Sequence, residues 1–179
     1  LPPSPSPTPA PANATLRAAV VADAQAIVAI YNHYILTTTI SFEEAAVTEA
    51  DMRQRIAEVQ AKGLPWLVLE IDGVLAGYAY ATPWRARHAY RFSVETTVYL
   101  DPTRLGRGLG RQLYAELLAR LRAHGCHLAI GGIAQPNVGS VKLHEAMGFR
   151  QVARFEEVGY KFGRWLDVGY WQINLQDDA

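Results

Sequence analysis

One cysteine, Cys126, is all that the sequence holds in 179 residues. An internal disulfide is therefore excluded, and nothing points to an oxidising compartment. Cys126 reads as a small buried residue rather than a nucleophile. Net charge is missing as well, since 17 lysines and arginines balance 17 aspartates and glutamates. Such a chain has no general electrostatic pull toward nucleic acid or an anionic membrane, and neither partner is expected. No apolar run is long enough to span a bilayer. The histidines lack paired ligand spacing, so no metal is expected. Residues 1–15, LPPSPSPTPAPANAT, carry no charged side chain and lack the basic start and apolar core of a signal peptide. Their Pro, Ser and Ala favour extended conformers with little to bury, and they read as a disordered tail. The expected setting is cytoplasmic.

What is present is a domain over residues 16–179, in a chain half of whose residues are apolar, enough for one core. Residues 16–20 suit a first strand. Asp23 can cap a helix with Ile27, Ile30, Tyr31 and Tyr34 on one side. Thr48 and Asp51 form a capping box for a second, striped by Met52, Ile56 and Val59. Asp72-Gly73, between residues 66–71 and 74–82, is a two-residue hairpin signal. Residues 83–91, PWRARHAYR, make a basic and aromatic loop. In residues 94–100, Val94, Thr96, Val98 and Leu100 face one way, and Glu95, Thr97 and Tyr99 the other. Leu109, Leu113, Leu117 and Leu121 give the next helix one apolar stripe, stopped by Gly125. Residues 128–133 suit a buried strand, and Pro136-Asn137 opens a helix through Met147. Strands near 151–157 and 168–175 are expected, with the segment 159–167 between them. This order implies an α/β fold, one mixed sheet covered by helices.

The organising stretch is the turn into the third helix. Gly106, Gly108 and Gly110 fall at every second position, with Arg104, Arg107 and Arg111 among them. Glycines let backbone approach a ligand, and a helix start offers unpaired N–H groups and a positive dipole end. Pyrophosphate suits such a site, and the arginines add charge-assisted bonds. A tight strand-to-helix connection with arginines in solvent fits the glycines equally well. The spacing is neither a Walker loop, since no lysine follows, nor a dinucleotide fingerprint, since the third position after Gly108 is Arg111.

The run Leu105-Gly106-Arg107-Gly108-Leu109-Gly110 resembles the acyl-CoA loop of the GNAT N-acetyltransferases, Q/R-x-x-G-x-G/A, with leucine at its first position and Arg104 one place early. A second motif, Asn137, Ser140, Leu143, His144, Gly148 and Phe149, resembles that family's Asn-led helix at the matching separation. Within the family, VETTVYL, PWRARHAY, LHEAMGF and GYKFGRWLDVGYWQ are most similar to the phosphinothricin and methionine sulfoximine acetyltransferase group. The resemblance covers nearly the whole chain from Leu16 to Leu175. It implies a single-domain fold with a mixed, mostly antiparallel central sheet flanked by helices, and acetyl-CoA as cosubstrate without a metal. It implies acetyl-CoA binding by Val98, Tyr99, Leu100, Gly106, Arg107, Gly108, Leu109, Gly110, Arg111, Asn137 and Ser140, with the Val98 N–H as oxyanion donor.

Acetyl transfer needs a base, because the amine is mostly ammonium near neutral pH. Spacing alone leaves Glu95 as a carboxylate paired with a nearby arginine or at a sheet edge. The resemblance makes it the first candidate, acting directly or through a water. A lone helix histidine is more often structural, but the motif places His144 beside the thioester sulfur, where it can serve as acid or base. Arg85 and Arg87 on their own fit a solvated loop; the resemblance makes them binders of an anionic substrate, with Phe42, Tyr90, Thr97 and Tyr99 lining the rest. The reaction implied is acetylation of the α-amine of phosphinothricin or a related small amino acid such as methionine sulfoximine or methionine sulfone. Acetylation of a protein N-terminus or an antibiotic, or a non-catalytic CoA-binding sensor, are the alternatives. The resemblance also implies a homodimer. The aromatics Tyr160, Phe162, Trp165, Tyr170 and Trp171 fit that or simple core packing.

Overall fold

The computed structural model describes residues 13–176. Residues 1–12 of the expected tail lie outside the described residues, and the remainder is structured from Ala14. The strands are β1 (Ala14–Ala18), β2 (Trp66–Ile71), β3 (Val74–Pro83), β4 (Ser93–Leu100), β5 (Leu128–Ala134), β6 (Arg150–Lys161) and β7 (Arg164–Asn174). The helices are α1 (Ala24–Thr37), α2 (Glu49–Ala61), α3 (Leu109–Ala123) and α4 (Val138–Ala146). One seven-stranded sheet runs β1-β2-β3-β4-β5-β7-β6. Every neighbouring pair is antiparallel except β4–β5.

Local chemistry explains most of these elements. Leu109, Leu113, Leu117 and Leu121 are all at most 1% exposed, so the four-residue stripe seats α3 on the sheet; each such burial stabilises by about 2 kcal/mol. Thr48 Oγ1 accepts the Asp51 N–H at 3.1 Å and the Asp51 carboxylate accepts the Thr48 N–H, closing the box at the start of α2. Asp72 and Gly73 both take positive φ, 53° and 77°, as a tight hairpin of this hand requires. Asp23 stands at the N-cap position of α1, as expected, but its side chain does not cap the helix. It ends a 3₁₀ turn, its carboxylate accepting from the Val20 N–H and pairing with Arg17 at 2.8 Å.

The C-terminal strands are longer than the sequence pattern shows. β6 and β7 form a hairpin around Phe162-Gly163, with φ of 49° and 73°, so the segment 159–167 is mostly strand. Two things hide it. A bulge between Phe155 and Gly159 breaks the alternation, held by Asp167, which accepts the Glu157 N–H at 2.9 Å and pairs with Arg154. The polarity is also inverted, since Lys161 is buried while Tyr160, Phe162 and Trp165 are exposed. Trp171 is in the core and Tyr170 half-buried, so the C-terminal aromatics divide between core and surface.

The faces of β4 have different partners. Thr96 turns to α3, where its hydroxyl meets the Tyr114 hydroxyl. Tyr99 turns to α1, its ring 5.1 Å from those of Tyr31 and Tyr34. Helices α1 and α2 thus cover one face, α3 and α4 the other.

Candidate active site

The site lies where the sheet parts. β4 and β5 pair only over residues 93–95 and 128–130, after which β4 stays with β3 and β5 with β7. Asp101 N–H donates to the Ala76 carbonyl (2.9 Å) and Trp84 N–H to that of Ser93 (3.1 Å), at the two ends of the β3–β4 ladder. In that register the amides of Glu95, Thr97 and Tyr99 face β3, while those of Thr96, Val98 and Leu100 face β5. Beyond Glu95 no strand among the described residues meets them. The N–H and C=O of Val98 therefore open on a wedge of about 90 Å³ bordered by Gly132, Asn137, Ser140 and His144. The Leu100 carbonyl accepts the Tyr34 hydroxyl at 2.6 Å. Tyr99 does not offer its amide to the wedge, only its side chain to the α1 face.

The glycine turn lies between the end of β4 and the start of α3. Gly106 and Gly108 have φ of 75° and 74°, and Gly108 is the residue from which α3 starts. A Cβ on either would touch nothing, so backbone conformation rather than space demands glycine. Gly110 is different: it lies inside α3, where a Cβ would come 3.2 Å from Leu143 and 3.4 Å from Leu100. Leu105 is exposed. Arg107 and Arg111 are exposed, with no anionic partner among the described residues, whereas Arg104 lies 3.7 Å from Asp101. First-turn amides of α3 and two free guanidinium groups form a cradle suited to a pyrophosphate. On the other side Asn137 caps α4, its Oδ1 accepting the Ser140 N–H at 3.1 Å.

Two titratable groups border the wedge from opposite faces of the sheet. His144 is 4% exposed. Its Nδ1–H donates to the Ser140 carbonyl at 2.8 Å, which leaves Nε2 to accept from the Tyr114 hydroxyl at 2.9 Å. Burial lowers its pKa, so the ring is neutral near neutral pH. Tyr114 is itself tied to Thr96 at 2.5 Å. Glu95 is half-buried and has neither hydrogen-bond nor ion-pair partner among the described residues. The arginine pairing that its spacing allows is not made, and desolvation raises its carboxyl pKa. Gly131 and Gly132 on β5 make room for both groups: a Cβ on the first would strike the His144 ring, and one on the second would stand 3.2 Å from Glu95 Oε1.

Glu95 also opens on a larger cleft of about 580 Å³ on the α1 face, with Phe42, Thr97 and Tyr99 in its wall. Tyr31, Ser41, Glu43, Tyr80 and Tyr170 line it too. Sequence reasoning did not find these, nor the Thr96–Tyr114 pair; the Gly131-Gly132 dipeptide inside a strand was a signal of close approach. Glu43 pairs with Arg55 at 2.6 Å. Burial pushes the Tyr80 phenol up to about 12 and that of Tyr99 further still, so the wall is uncharged apart from its carboxylates. Arg85 and Tyr90 border an adjoining depression instead, with Tyr170 as the partition between the two. The Arg85 guanidinium lies 5.4 Å from the Trp84 ring centre and 6.0 Å from that of Tyr90. Arg87 lines neither space. Among the described residues no group of three His, Cys, Asp or Glu could hold a metal, and no helix is long and apolar enough to cross a membrane.

A family model described as an acetyltransferase (GNAT) domain matches residues 16–169. The chain is 42% identical over 161 residues to a phosphinothricin N-acetyltransferase of Streptomyces viridochromogenes, covering 90% of this chain and 87% of that one. It is 40% identical over 168 residues to an L-methionine sulfoximine/L-methionine sulfone acetyltransferase of Salmonella typhimurium, covering 92% and 96%. Its fold is similar to the crystal structure of a GNAT superfamily phosphinothricin acetyltransferase from Sinorhizobium meliloti in complex with acetyl-CoA. That match has a TM-score of 0.87 and 39% identity, over 90% of this chain and 88% of the other.

Proposed function

This chain belongs to the GNAT acetyltransferase family, and we propose that it acetylates the α-amine of a small amino acid with an anionic or strongly polar side chain. Phosphinothricin, methionine sulfoximine and methionine sulfone are the leading substrates, as the names of its relatives indicate. The observation that carries the reading is Glu95: a half-buried carboxylate without a partner, open to both the wedge and the larger cleft.

Acetyl-CoA fits the other side of the site. The first-turn amides of α3, Arg107 and Arg111 suit its pyrophosphate; the unpaired strand edge at Val98 suits the amides of its arm, with Asn137 and Ser140 opposite. The thioester supplies an activated acetyl group. Glu95 takes a proton from the substrate ammonium, directly or through a water, and its raised pKa brings it closer to that task. The Val98 N–H, fixed by the β3–β4 ladder and facing the wedge, stabilises negative charge as it builds on the acetyl oxygen. As the C–S bond breaks, the attacking nitrogen gives up its second proton and the departing sulfur takes one, with the neutral His144 Nε2 as the acceptor that can relay it. The α-amine lies by Glu95, and the anionic side chain extends toward Arg85 beyond Tyr170.

Two further readings go with this one. The exposed Phe155, Tyr160, Phe162 and Trp165 on the edge hairpin support a homodimer, since isolated chains seldom leave so many large rings in water. A cytoplasmic setting accords with the single free thiol, Cys126. The test of the function is thiol release from acetyl-CoA across a panel of amines. Turnover with phosphinothricin, methionine sulfoximine and methionine sulfone, and none with lysine or polyamines, is expected. Turnover confined to cationic amines or peptides would discard the substrate assignment, and binding without turnover of any amine would make the protein a sensor.

A further inference from the structure

Among the described residues, four polar or charged side chains are buried on the two sides of the sheet: Thr96 and His144 with α3 and α4, and Ser41 and Lys161 beside α1. The first two belong to the site. Lys161, only 1% exposed, has no part in the chemistry above and no carboxylate as a direct partner among the described residues. Its ammonium donates instead to the carbonyls of Ile35 (2.7 Å) and Ser41 (2.6 Å), and lies 5.0 Å from the centre of the Phe162 ring. Ile35 is in the last turn of α1, where carbonyls lack intrahelical donors and the dipole is negative, so a cation is well placed there. Ser41 belongs to the connection between α1 and α2, 120 residues away from Lys161 in sequence.

That connection forms one wall of the acceptor cleft. Ile40, Ser41, Phe42 and Glu43 are consecutive and all line it. The connection has no regular structure of its own between α1 and α2. At its far end Asn32 exchanges two hydrogen bonds with Val47. In its middle, Lys161 holds the Ser41 backbone while the Ser41 hydroxyl meets Tyr31 at 3.0 Å. The same hairpin supplies a second seat, because Phe42 packs on Gly159 so closely that a Cβ there would overlap its ring.

We propose that Lys161 is a positioning residue for the amine-acceptor half of the site: its buried ammonium ties the 40–43 wall to the end of α1 and so sets affinity for the amino acid. This rests on the acetyltransferase reading above for its kinetic arm. Lys161→Met keeps the stem and removes all three donors. The expected result is a rise of about tenfold in KM for the amino acid, the size of a lost pair of buried hydrogen bonds. KM for acetyl-CoA and kcat should stay within about threefold, because the wedge is untouched. Equal shifts in both KM values, or none, would overturn the proposal. The second arm needs no turnover. Amide exchange at Ile40 and Glu43 should quicken in Lys161→Met while exchange in α3 is unchanged; unaltered exchange at 40–43 would equally overturn it. If the methionine variant does not melt cooperatively, Lys161→Gln, which is uncharged and one bond too short to bring its amide to both carbonyls, takes its place in both measurements. Wild-type protein that turns over no amine would refute the substrate reading alone, leaving the exchange arm to judge Lys161.

Discussion

A Cβ placed on Gly131 would stand 2.4 Å from His144 Nε2. The ring cannot step aside, because Nδ1 is held by Ser140 and Nε2 by Tyr114. Gly131→Ala should therefore cost about 1–3 kcal/mol of stability by overpacking. It should also lower kcat at least about tenfold by displacing His144. Thermal melts and steady-state kinetics check both. Gly132→Ala should cost less stability, since its Cβ would meet Glu95 Oε1 and the Tyr170 ring both at 3.2 Å, an overlap that a few tenths of an ångström relieves.

Glu95→Gln should lower kcat by about 10²–10⁴-fold, the usual contribution of a positioned base, while leaving acetyl-CoA affinity nearly unchanged. In the wild type, burial raises the Glu95 pKa above 4.5. Since the base must be ionised, kcat/KM rises with pH through that raised value. The acid limb should thus sit above the ordinary carboxylate range and vanish in the glutamine variant. A pH–rate profile in which the limb persists would remove Glu95 from the mechanism.

The two loop arginines should separate. Arg85 borders a depression that shares Tyr170 with the acceptor cleft, and Arg85→Ala should raise KM for an anionic amino acid by about tenfold, as loss of a charge-assisted contact does. Arg87 lines neither space, and Arg87→Ala should change KM by less than about threefold. Equal effects in single-variant kinetics would mean that both guanidinium groups reach the substrate.

Trp165 is 62% exposed, and its ring lies 4.9 Å from that of Tyr160. Trp165→Glu should turn a homodimer into monomers, with a mass half that of the wild type by light scattering. Two species of equal mass would leave the aromatic face without a second copy.

The parts of this fold that were legible in the sequence are those where one local rule decides. The leucines of α3, the box at Thr48, the Asp72-Gly73 hairpin and the alternation of β4 each follow from a spacing of two to four residues. Glu95 and His144 were legible as candidates because they stand inside strong motifs. Other features depend on tertiary context. The turn-side halves of β6 and β7 escaped notice because Lys161 points inward and its aromatic neighbours outward, reversing the pattern that marks a strand. Asp23 turned from capping α1 to Arg17, a partner that only the packed structure brings near. Tyr114 stands outside the four-leucine stripe of α3, and only the approach of α4 makes its hydroxyl a support for His144.

The brief parallel pairing of β4 with β5 also bears on how the molecule holds together. Mechanically the sheet is two plates, β1–β4 and β5–β7–β6, each internally stitched by antiparallel ladders and joined along a seam of three residue pairs. A donor molecule lying along Val98 on one plate and reaching Asn137 beyond the other would act as a rivet across that seam. Substrate binding and resistance to unfolding would then be one property, with the stabilisation growing as the logarithm of donor concentration over its dissociation constant.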